Sequence, residues 1–140
     1  MGYPTDVRVQ SDQEAAGINL LWQNSGTDLS ISETRTLVNI TGKAGKLLAA
    51  RLFAKNPNVW LKVAVDGEDI LEVSSYFMSG YSCTGEGLLT VCRKYDTVND
   101  RYIMELSRPI EFGSSLLAQL VNWTGSAAKA FSHVLWIENT

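Results

Sequence analysis

Hydrophobic and polar residues alternate along most of this chain. Over 59–65, Val59, Leu61, Val63 and Val65 share one face, while Trp60, Lys62 and Ala64 share the other. Over 46–54, Leu48, Ala50 and Leu52 oppose Arg51 and Lys55. Over 115–121, Leu116, Ala118 and Leu120 oppose Ser115, Gln119 and the more apolar Leu117 and Val121. A period of two with one apolar face predicts strands packed on one side. Turn signals separate these runs at near-regular intervals: 42–45, Asn56-Pro57-Asn58, Asp66-Gly67, 79–87, 96–100, Gly113-Ser114 and Thr124-Gly125-Ser126. Such spacing predicts a sandwich or barrel. Asp66-Gly67 suits a two-residue type I′ hairpin, because both residues tolerate positive φ.

Little helix is expected. Asp12 to Leu21 forms one candidate, with Ser11 as cap and Glu14 three residues on, weakened by Gly17. Ala127 to Phe131 is another, of a single turn. Residues 1–28 read as an extended N-terminal arm and residues 29–140 as one β-sandwich domain. The stretch 74–92 interleaves Tyr76, Phe77, Met78, Tyr81 and Cys83 with Ser and Gly, and suits a contact loop or an irregular edge strand equally.

Composition narrows the function classes. The 140 residues suit one domain, 45% hydrophobic and 19% charged, with a net charge of −3. Nucleic acid and anionic membranes call for a basic stripe, and the nearest approach is Arg93-Lys94 with Arg101, so neither is an expected partner. No apolar run approaches the length of a membrane span, and Met1 to Asp6 lacks the form of a secretory signal, so synthesis in a cytoplasm is expected. Cys83 and Cys92 have the wrong spacing for a zinc pair. They read either as two core thiols, the preferred reading, or as a disulfide across a short excursion.

A search for reactive chemistry assigns no catalytic, metal or cofactor residue. The single histidine, His133, is in phase with Leu135 and Ile137 on the last strand and reads as structural. Neither a G-x-S-x-G nor a C-x-x-C motif is present. Asp66, Glu68, Asp69 and Glu72 cluster beside a hairpin without the ligand order of a calcium loop, and read as a solvated turn. Gly42 to Gly45 lacks the phosphate-cradling pattern. Asn39-Ile40-Thr41 and Asn122-Trp123-Thr124 match glycosylation sequons, which matter only in a secreted eukaryotic chain.

Aromatic residues remain, and exposed rings stack on sugars or anchor protein interfaces. The final strand is apolar on both faces, with Val134 and Trp136 on one and Leu135 and Ile137 on the other. One face of an outer sheet meets its own core, so the other is expected to meet a neighbouring subunit or the N-terminal arm. Trp22, Trp123, Val134 and Trp136 are therefore the interface candidates. For a carbohydrate-binding module the contact candidates are Trp60, Tyr76, Tyr81 and Tyr102, with Asn58 and Asp100 as polar partners.

Two motifs carry a family resemblance. Thr36-Leu37-Val38-Asn39-Ile40-Thr41-Gly42-Lys43-Ala44-Gly45 runs on to Val63-Ala64-Val65-Asp66-Gly67 in the first half. Phe112-Gly113-Ser114-Ser115-Leu116 and Asn122-Trp123-Thr124-Gly125 stand in the second. Over roughly 34–137 the chain resembles small accessory structural proteins of tailed-bacteriophage virions. The resemblance implies a jelly-roll-like sandwich without enzyme activity: a head decoration, fibre-base, tail or baseplate protein. It also implies homo-oligomers, trimers favoured, docked on capsid or tail subunits in the virion, with a host glycan as an alternative ligand. The segment 76–87 has no counterpart in that pattern.

Overall fold

The computed structural model describes residues 18–25, 28–79 and 89–139. Among the described residues, ten strands and one short helix follow one another: β1 (Ile18–Ser25), β2 (Thr34–Thr41), β3 (Gly45–Ala54), β4 (Val59–Val65), β5 (Glu68–Ser74), α1 (Ser75–Ser79), β6 (Thr90–Asp96), β7 (Arg101–Leu106), β8 (Ile110–Phe112), β9 (Ser115–Asn122) and β10 (Ala130–Asn139). They form two antiparallel sheets, one ordered β1-β10-β3-β7-β6 and the other β2-β9-β4-β5. Strand β8 lies beside the first part of β3 and β7 beside the second, so two short strands share one edge of a long one. The pairs β1–β10, β2–β9 and β3–β8 nest like the two arms of one folded hairpin. That wrapping makes the expected all-β, jelly-roll-like antiparallel sandwich.

The core is the apolar face of each sheet. Leu47, Leu52, Met104 and Val134 come from the larger sheet, and Val59, Leu61, Val63, Leu116, Ala118 and Leu120 from the smaller. Each buried Leu or Val contributes roughly 1.5–3 kcal/mol relative to exposure. The alternation expected for 59–65 and 115–121 holds at these positions. In β3 it holds for Ala50 and Leu52 but not for Leu48. A bulge opposite Leu135 and Trp136 inserts one residue, so Leu47 is fully buried and Leu48 only half-buried. Inserting one residue flips the phase of everything before it.

The expected boundary of the arm moves. Ile18–Ser25 pairs with β10 along its whole length and extends the larger sheet, so the sandwich begins before residue 29. The Ala127–Phe131 helix candidate is corrected, and the Asp12–Leu21 candidate is corrected over its last four residues. Residues 18–21 are strand, while 12–17 lie outside the described residues. Ala128 bridges Leu29 and Ala130 already begins β10, because tertiary pairing outweighs one turn's weak propensity. The helix that forms is Ser75–Ser79, where the Ser74 hydroxyl accepts from the Phe77 N–H at 3.0 Å. The stretch 74–92 is thus part helix and part the beginning of edge strand β6, with 80–88 outside the described residues.

Candidate functional site: an exposed aromatic end

The turns of 42–45, Asp66-Gly67 and Gly113-Ser114 from the two sequence motifs meet at one end of the sandwich. Gly42 and Lys43 donate their N–H groups to the Ser114 carbonyl, at 2.7 and 3.2 Å. Asp66 and Gly67 adopt φ of 54° and 84°, as a type I′ turn requires. The Asp66 carboxylate accepts from the N–H groups of Gly113, Ser114 and Ser115 and from the Ser114 hydroxyl, at 2.7–3.1 Å. These bonds, that to the Ser114 N–H first, lower its pKa to about 2. Gly45 sits between β8 and β10, where a Cβ would lie 1.9 Å from the Ile137 carbonyl oxygen and 2.8 Å from Phe112 Cζ. Lys43 Nζ reaches Glu138 Oε1 at 3.0 Å. Glycine, aspartate and serine here fasten three turns together, and the chemistry of this end is structural.

The opposite end gathers rings. Trp60, the second residue of β4, stands 6.0 Å from Phe77 of α1 and 6.2 Å from Trp123, which follows β9, with planes tilted by 44° and 48°. At these centroid distances the three rings form one continuous apolar surface. Trp123 is 67% exposed, Tyr76 60% and Phe77 39%, while Trp60 is half-buried beneath them. The mounting is rigid. Trp123 donates its N–H to the Asn58 carbonyl at 3.3 Å, and Tyr76 donates to the Pro57 carbonyl at 3.0 Å, so both hang from the β3–β4 turn. Asn122, 1% exposed, fixes the loop that carries Trp123. Its Nδ2 donates to the carbonyls of Ser30 and Ser126 at 2.9 and 2.7 Å, and its Oδ1 accepts from the Thr124 N–H at 3.0 Å.

The expected site residues divide around this surface. It brings together Trp123 from the interface set with Trp60 and Tyr76 from the glycan set. Val134 is corrected: it is 1% exposed and packs inside its own chain, so no second subunit is needed to bury it. Trp136 packs partly against the same core and donates Nε1–H to Glu138 Oε2 at 3.0 Å. Tyr102 is corrected too. It alternates inward on β7, is 4% exposed and meets Tyr95 edge-to-face, so its ring offers no stacking face. Burial first, then the nearby Asp100 charge, raises its pKa. Trp22 lies on β1, opposite Leu135 in register, and Tyr81 lies outside the described residues. Phe77 belongs to the stretch that suits a contact loop, but without periodicity that stretch does not single it out as a site residue. Asn122 was visible only as part of a turn motif.

His133 and Cys92 pack within the fold. His133 packs edge-on against Phe131 and Phe53, with centroids 5.0 and 6.4 Å away, and burial followed by the Arg51 charge lowers its pKa. Cys92 lies in the core with its Sγ 3.5 Å from the Lys94 carbonyl, and Cys83 is outside the described residues. Among the described residues, no three His, Cys, Asp or Glu side chains converge as metal ligands, and no helix is long and apolar enough to cross a membrane.

No protein-family profile matches the chain, and no curated protein sequence matches it. Among solved structures it is similar to dimeric latent PorU from Porphyromonas gingivalis, at 17% identity and a TM-score of 0.45, over 87% of this chain and 13% of that one. The chain therefore spans only a small part of that protein's length.

Proposed function

We propose that this protein is a non-enzymatic structural component of a tailed-bacteriophage virion, a capsid decoration or head/tail accessory, acting by self-association and by docking on other virion proteins. The virion assignment rests on the motif resemblance. The observation that carries the docking role is the Trp60–Phe77–Trp123 surface, which its own chain leaves exposed on a rigid mount. Interface energy concentrates on such aromatic anchors. Antibody raised against the purified chain should label tailed particles at a fixed position. Added protein should cosediment with particles lacking it, and Trp123→Ser should abolish that cosedimentation while leaving the melting temperature unchanged. Label absent from particles, or cosedimentation indifferent to Trp123, overturns the reading.

One observation favours a second reading. Trp60 and Tyr76, chosen as sugar-stacking candidates, stand at the same end and beside the polar turn of Asn56 and Asn58. A carbohydrate-binding sandwich would use the same rings on the apolar faces of a host glycan. A glycan array probed with the full chain separates the two, and silence at millimolar sugar removes this one.

A further inference from the structure

Each sheet edge in a soluble β-protein exposes unpaired N–H and C=O groups, and natural proteins guard such edges with charges, bulges or shortness. Three long edges here are guarded twice over. Strand β2 carries Arg35, and Leu37 is inserted as a bulge between the pairs Thr36–Gln119 and Val38–Ala118. Strand β5 carries Glu68, Asp69 and Glu72, with Ile70 inserted between the pairs Val63–Leu71 and Ala64–Asp69. Strand β6 carries Arg93, Lys94 and Asp96, with Arg93 itself the inserted residue opposite Met104 and Ile103. In each case the extra residue sits on the edge strand. The short edge strand β8 offers only three residues.

Strand β1 has none of these devices. Its sequence Ile-Asn-Leu-Leu-Trp-Gln-Asn-Ser contains no charge and no proline. It pairs with β10 in unbroken register from Ile18–Asn139 to Ser25–Ser132, and among the described residues nothing pairs with its outer side. At about 3.3 Å per residue it presents a straight edge of about 27 Å.

We infer that two copies of this chain associate through their β1 edges, antiparallel about a two-fold axis, joining two larger sheets into one. The partner edge follows from the guards: β1 against β2, β5 or β6 would meet a bulge and fixed charges, whereas β1 against β1 is the one combination in which both edges are open. Antiparallel pairing is self-complementary, so the contact closes at two copies. A two-fold axis sets residues of the same parity opposite each other; centred on Leu21 it pairs Ile18 with Asn24 and Asn19 with Gln23 of the other copy, with about six to eight inter-chain hydrogen bonds.

This deepens the self-association in the reading above, and its test is separable from that of docking. Native mass of the full chain across a wide concentration range should show a dimer. Ile18→Lys with Asn24→Lys sets like charges opposite each other across the two-fold and should shift the protein to monomer. Ile18→Lys with Asn24→Glu sets opposite charges there and should restore the dimer, which a mere loss of folding would not do. At concentrations low enough for every form to be monomeric, melting curves of both variants should match the wild type. A wild-type oligomer indifferent to both charge patterns removes β1 as the interface and leaves self-association standing. A wild-type monomer at every concentration removes both, and protected β1 edge amides in that monomer, read by hydrogen exchange, would place another part of the same chain over the edge.

Discussion

Asn122 is the point at which stability and the proposed surface can be separated. Its side chain is 1% exposed and makes three hydrogen bonds, two donated to the Ser30 and Ser126 carbonyls and one accepted from the Thr124 N–H. A net hydrogen bond contributes about 1 kcal/mol, and a buried group left unmet costs about 1–3 kcal/mol. Asn122→Ala loses all three bonds, and the sum is about 3 kcal/mol, allowing water to satisfy part of what is lost. Asn122→Asp tests the direction of the bonds. A carboxylate still accepts from Thr124 but turns acceptor against acceptor at the two carbonyls, and burial disfavours its charge. Its folded-state pKa must then rise above the unfolded value of about 3.9. The sign follows: the folded state binds the proton more tightly, so the variant's deficit is small below the unfolded pKa and grows as pH rises through the folded one. Urea unfolding of wild type and both variants, at a series of pH values from acid to neutral, reads this as a difference from wild type at each pH. A cost below about 1 kcal/mol for Asn122→Ala, or an Asp variant whose deficit ignores pH, would falsify the described bonding. Hydrogen exchange should also show the Thr124–Ser126 backbone opening before the sheets do.

Two further predictions concern the other end of the sandwich. Gly45→Ala pushes a methyl group to 1.9 Å from the Ile137 carbonyl oxygen in the middle of a sheet, so the loss should reach or exceed the roughly 1–3 kcal/mol of ordinary overpacking. Gly42→Ala, with φ of 73° and open space around the added carbon, should lose only about 1 kcal/mol from backbone strain, and equal denaturation midpoints for the two would refute the close approach at Gly45. Asp66→Asn should weaken the fold at neutral pH. Because the folded pKa of Asp66 is depressed to about 2 from 3.8, its stabilisation is present above the unfolded value and disappears as pH falls through about 2. The gap between wild type and variant in urea should therefore close on acidification, and a gap constant with pH refutes the carboxylate's role.

Strands with one wet face were legible because burial on one side writes a period of two into the sequence. Val59, Leu61, Val63 and Leu116, Ala118, Leu120 are direct examples. Leu47 and Leu48 were not separable, since a bulge leaves no residue-level mark in a run of two leucines followed by two alanines. The edge β1 read as arm because Ile18–Ser25 lacks strict alternation, and its place depends on β10, more than a hundred residues away. Tyr102 failed as a ligand contact for a similar reason. Alternation says that a side chain points to one face or the other, but which face is the core is set by the partner sheet. Trp60, placed opposite Val59 and Val63, was assigned correctly because its neighbours fixed the core side.

Most of the motif residues that made the chain recognisable lie at the end opposite the exposed rings, and the Asn122-Trp123-Thr124-Gly125 turn is the part that lies with them. Gly45 has no room for a side chain, the Asp66 carboxylate is already met by four donors, and the Ser114 carbonyl holds Gly42 and Lys43. Groups so committed cannot also engage a ligand without unfastening the turns. The spacing of those motifs is imposed by closure of the sandwich, which is why it is regular enough to recognise. The rings of Trp60, Phe77 and Trp123 obey no such spacing, because they meet only through three different connections at the far end. A resemblance carried mainly by the fastened end therefore bears on architecture. On the proposed reading the partner is chosen at the aromatic end and along the β1 edge, where contacts can change without disturbing closure.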